Sequence, residues 1–299
     1  MRYISKLFLI FSIVLGLAFS TDTLSHAVQT DEMLDEPIVV YGDTLSDAQR
    51  EEVRRLLEVD TDKVTEMNVT GKDIAHYING DPNSRMFSSV KITHKDKGHG
   101  IVVNIVTADN ITHVTSEMYS NALLTAGVEN ALIEVASPVQ VTGTSALSGI
   151  YKAYDAAGAE LEQGRMEVAN EELDFTTELS KKEGLNQEKV TELMTEIKKE
   201  IAEQDPVTRE EVEQIVKDQL EKLEINLSEE DRQLLIDLFE KMRNLDIDFD
   251  QVKQQLEDIT STIKDKLDDM NLELDEGFWE KVSNFFQDLI DSIANFFKG

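Results

Sequence analysis

The chain is 299 residues long, carries 60 acidic against 29 basic side chains for a formal net charge of −31, and contains no cysteine. This acidity excludes nucleic acid as a partner, because phosphates are bound by the lysine and arginine that displace their counterions. The missing thiols exclude a disulfide framework and cysteine chemistry, so the fold must rest on apolar cores, and the length suffices for two domains of ordinary size.

In chain order, Arg2 and Lys6 form a short basic stretch, Leu7 to Ser20 is uncharged and apolar, and Ser25-His26-Ala27 is a small-residue cleavage site. Residues 1–27 therefore read as a secretory signal peptide cut after Ala27, and the apolar run falls short of the ~20 residues needed to span a bilayer. Residues 28–36 form a short acidic linker. Residues 37–157 read as an α+β domain. Pro37 to Tyr41 is a strand, Ser46 to Gln49 is a capping box opening a helix through Leu57, Val64 to Val69 is a short strand, and Asp73 to Ile78 is a short helix. Ser89 to His94 and Gly100 to Thr107 are β-branched runs joined by Lys95-Asp96-Lys97-Gly98-His99, which predicts a hairpin. A helix from Thr115 to Ala126, a strand from Leu132 to Ala136 and a helix from Thr144 to Ala157 complete a small mixed or antiparallel sheet with helices on one face.

Residues 158–184 read as a connecting helical segment and residues 185–299 as an all-α domain, a helical bundle or short helical stack with an extended coiled coil as the competitor. Its apolar stripes are Leu185, Val190, Leu193, Met194, Ile197 and Ile201, then Val212, Ile215, Val216, Leu220 and Leu223, then Leu234, Leu235, Leu238, Phe239 and Met242, then Phe249 to Leu267. The junctions at Leu223–Ser228, Leu245–Asp250 and Met270–Asp275 resemble one another. In the last segment Trp279, Phe285, Phe286, Leu289 and Phe296 belong to one aromatic stripe, a hydrophobic docking face. Its neighbours Glu276, Glu280, Asp288 and Asp291 suit docking in the bundle or a homo-oligomer and oppose an anionic membrane.

Chemistry is sparse. Asp109, His113 and Glu117 are the candidate metal or acid/base set, since His113 and Glu117 four apart share a helix face and His99 is a further neighbour; a histidine solvating a helix start is the preferred alternative. Gly143, Thr144 and Ser145 open a helix whose free N–H groups suit an anion, unless a side chain caps them. Gly149, Ala153 and Ala157 follow at intervals of four and imply close packing on the sheet. Asp246 to Asp250 with Glu257 imitates the spacing of a calcium loop but has Gln251 where that loop needs glycine. No catalytic nucleophile motif is present, and nothing calls for a cofactor.

Residues 111–155, ITHVTSEMYSNALLTAGVENALIEVASPVQVTGTSALSGIYKAYD, and 41–57, YGDTLSDAQREEVRRLL, resemble the YpuA-like (DUF1002) family. Ser137 and Ser145 stand where alanine is commoner. The resemblance implies a secreted protein of a Gram-positive, spore-forming lineage and brings no catalytic residues with it. The expectation is a secreted or envelope-associated, non-catalytic binding or structural module whose partner is a cell-wall component or a protein. The alternative is an extracellular metal- or acid/base-dependent enzyme using the N-terminal domain.

Overall fold

The computed structural model describes residues 36 to 269 apart from positions 160, 183, 246 and 248. Strand β1 (Ile38–Gly42) is buried along its whole length, as its β-branched run requires. Helix α1 (Asp47–Leu56) starts at the predicted box, where the Ser46 hydroxyl and the Gln49 side chain each accept from the other's backbone N–H. It returns the chain to β2 (Thr65–Val69), parallel to β1. Helix α2 (Gly71–Ile78) follows, then β3 (Ser89–His94), antiparallel to the other side of β1. After β4 (Ile101–Ile105) and helix α3 (Ser116–Ala126), β5 (Ala131–Ala136) completes a mixed sheet of order β2-β1-β3-β5-β4.

Two expectations are corrected here. β3 and β4 do not form a hairpin: β5 lies between them, antiparallel to β3 and parallel to β4. The connection must therefore cross two strand spacings, about 10 Å, rather than one. Asn130 makes that span workable, because its side-chain oxygen accepts from Gly98 N–H at 2.9 Å and Gly100 N–H at 3.1 Å, while its carbonyl accepts from Lys95 N–H at 2.9 Å. The helices also cover both faces of the sheet, not one. Val39 and Tyr41 pack with Val53 of α1 and with Leu57 just after it, whereas Ile38 and Val40 join the larger core with residues of α2, α3 and the helix after β5. Alternation along β1 sends successive side chains to opposite faces.

That next helix, α4 (Ala146–Ala156), has the close packing its small residues imply. A Cβ on Gly149 would meet Val90 at 3.3 Å, with Val69 and Val40 just beyond. Helix α5 (Gln163–Leu179) fills the segment read as a connection. Met166, Ala169 and Leu173 enter the first core and Val168 the second. Helices α6 (Gln187–Gln204), α7 (Arg209–Lys222) and α8 (Glu229–Arg243) bring the predicted stripes together with α5 as a compact bundle. Leu234 is the exception: it is exposed and Ile236 is buried in its place. Helix α9 (Phe249–Asp269) crosses α6 and places Leu256, Ile259 and Ile263 against Leu124 of α3. Residues 270–299 lie outside the described residues, and with them Trp279, Phe285, Phe286, Leu289 and Phe296.

With α3, α5, α7 and α9 all packed on it, α6 is buried around most of its circumference. Glu196, Lys198, Lys199 and Glu200 are consequently buried as well.

Candidate functional site

The residues of the first candidate set differ in exposure. Asp109 is exposed in the turn after β4, His113 is half-buried, and Glu117 is buried in the first turn of α3. Among the described residues no group of three His, Asp or Glu side chains could hold a metal ion. His113 has a buried Nδ1 without a hydrogen-bond partner. Glu117 instead lines a groove with His99, Ser120 and Asp258.

At the second candidate, Gly143 has φ +102° and its carbonyl accepts the Tyr119 hydroxyl at 2.6 Å. The Ser145 side chain makes no capping bond. Burial raises the Asp174 carboxyl above its ordinary value, and Asn170 and the Thr144 hydroxyl, both bonded to it, moderate the effect. The protein has thus placed its own carboxylate beside this helix start, which opposes a further anion.

A different set of residues converges in a crevice between α2, α4 and the start of α5. The last turn of α2 presents His76 and Tyr77, and α4 presents Tyr151 and Asp155, four apart and so on one face. Glu162 and Gln163 at the start of α5 close a cavity of about 400 Å³. The Tyr77 hydroxyl donates to Asp155 Oδ2 at 2.9 Å. The Tyr77 and Tyr151 rings meet edge to face with centroids 6.4 Å apart, and His76 lies 4.8 Å from Tyr77. Tyr77 and Tyr151 are buried as the floor, while His76, Asp155, Glu162 and Gln163 form an exposed rim.

A second link ties the walls together. Lys152 Nζ donates to both oxygens of Asp73 at 2.8 Å. Burial alone would raise the Asp73 carboxyl, but Lys152 and the Thr70 donors hold it below the usual range. Burial and the Asp155 acceptor push the Tyr77 hydroxyl well above its ordinary value, and burial with the nearby Glu172 does the same to Tyr151.

Behind Tyr151 lies a buried ionic seam. Lys198 Nζ stands 2.6 Å from Glu172 Oε1 and donates to the Asn121 carbonyl at 2.7 Å. The Thr125 hydroxyl donates to Glu172 Oε2 at 2.7 Å, and Asn121 Nδ2 donates to Thr195 at 2.8 Å. Burial depresses the Lys198 ammonium, against the pull of Glu172. The Tyr151 hydroxyl and Asn121 Oδ1 are buried without partners.

A family model described as "Protein of unknown function (DUF1002)" matches residues 41 to 259. The chain belongs to the DUF1002 family. "Uncharacterized protein YpuA" of Bacillus subtilis (strain 168) is 37% identical to it over 206 residues, covering 67% of this chain and 69% of that protein. No solved structure matches. The DUF1002 region contains the crevice, the ionic seam and nearly all of the sheet, so it unites the α+β part with most of the described bundle.

Sequence reasoning missed the crevice. Its only local sign is the spacing of Tyr151 and Asp155, and Tyr77 meets them through packing of α2 on α4.

Proposed function

We propose that this DUF1002 chain is exported, loses residues 1–27, and acts outside the cytoplasm as a non-catalytic binding module in the cell envelope, with the α2–α4–α5 crevice as its ligand site. The crevice carries this reading: an aromatic floor with a few converging polar groups at the rim is the usual build of a small-ligand site. The sequence at the amino end supports export, and among the described residues no helix is long and apolar enough to cross a membrane.

The test has two readouts. The protein from producing cells should begin at Val28 and be found in the wall or medium fraction. The purified chain should sediment with isolated wall polymer, and Ala159→Trp, which fills the crevice from its rim, should abolish sedimentation. Turnover of wall polymer lost in Tyr77→Phe would replace binding by catalysis, and a cytoplasmic full-length chain would remove the extracytoplasmic role.

A further inference from the structure

The rim of the crevice is one-sided in charge. Asp155 and Glu162 are exposed carboxylates, and among the described lining residues His76 is the one ring base and no lysine or arginine occurs. Asp155 accepts the Tyr77 hydroxyl through Oδ2, which leaves Oδ1 able to accept from a ligand. The floor offers ring and thioether surface from Tyr77, Tyr151 and Met166. The Tyr151 hydroxyl is not part of that surface, because it is buried and its charged neighbour is Glu172.

We propose that the crevice binds an organic ammonium group, a primary amine on a short aliphatic chain. Its N–H groups donate to Asp155 and Glu162, and its chain lies along the aromatic floor. This assignment rests on the reading of the crevice as the ligand site. Three features point to a cation. Two carboxylates supply acceptors and the lining supplies few donors, which suits a ligand made of donors and ill suits a polyol that needs both. Tyrosine faces attract ammonium groups through the ring quadrupole. The net charge of −31 draws cations towards the surface and repels anions.

The test uses the chain from Val28 to Gly299 and three probes: n-butylammonium chloride, n-butanol and N-acetylglucosamine, followed by amide chemical shifts and calorimetry. Butylammonium should bind, perturb amides around Tyr77, Asp155 and Gln163, and weaken as salt screens the carboxylates. Asp155→Asn keeps an acceptor for Tyr77 but removes the charge, and should weaken butylammonium about tenfold, the worth of one charge-assisted contact. Equal binding of n-butanol, or preferential binding of N-acetylglucosamine, would overturn the ammonium assignment and leave the crevice as a site. Failure of all three probes would overturn it too, and sedimentation with wall polymer then separates the two readings. If Ala159→Trp abolishes sedimentation, only the ligand class was wrong; if it has no effect, the crevice reading falls as well.

Discussion

Lys198 and Glu172 show what a single pair of side chains demands when α6 is enclosed by its neighbours. Each is almost fully buried, at 3% and 1% exposure, so each depends on the other to offset its lost hydration. Lys198→Met leaves the Glu172 carboxylate uncompensated and should destabilise the protein by roughly 3–5 kcal/mol in urea unfolding. Adding Glu172→Leu removes the stranded charge and should recover most of that loss. A double variant no better than the single one would mean that Thr125, Asn121 and the pair hold one another in place more strongly than the charges do. Glu192, one turn before Glu196 on the same helix, behaves differently. Burial, with Glu196 nearby, pushes its carboxyl up to about 7, and Lys222 and Lys189 only partly oppose this. A raised carboxyl favours the folded state below its ordinary range, and the advantage disappears as pH rises through about 7. Glu192→Gln should therefore change stability by less than about 1 kcal/mol at about pH 5 and add roughly 2–3 kcal/mol at about pH 8. Parallel pH profiles for variant and parent would show that Glu192 is solvated.

At the scale of elements, most strands and helices were legible because apolar spacing and capping residues are local signals. Ser46 with Gln49 and Thr208 with Glu211 open their helices as boxes. What the local pattern could not show is which elements meet. Lys95 to Gly100 has the composition of a hairpin turn, yet it spans the start of β5 because Asn130 satisfies its backbone. Asn130→Ala removes the acceptor for two N–H groups and should cost about 1–2 kcal/mol, with faster amide exchange at Gly98 and Gly100. Unchanged exchange at both glycines would mean the loop is held by the strands alone. The burial of Glu196, Lys198, Lys199 and Glu200 on α6 has no local signal either, because their spacing does not announce that α9 will pack on that helix. The crevice was hidden likewise, since Tyr77 and Asp155 share a hydrogen bond across 78 positions of sequence.

Across the whole molecule, the two cores share a helix rather than a linker. α5 gives Met166, Ala169 and Leu173 to one core and Val168 to the other, while the turns at its ends carry Gly158 and Gly184 at positive φ. Limited proteolysis should cut first in those turns, at about 158–162 or 180–186, where the backbone leaves helical geometry. The nicked chain should nevertheless elute as one species under native conditions and separate only in denaturant. Two species at native elution would show that the contacts of α5 are too weak to unite the halves. The placement of β5 between β3 and β4 also has a kinetic side. As the chain emerges from synthesis, β3 and β4 each present an open edge that no earlier segment can pair, and both wait for residues 131 to 136. The sheet therefore closes through contacts distant in sequence, a route that is slow and leaves bare strand edges open to association with other nascent chains.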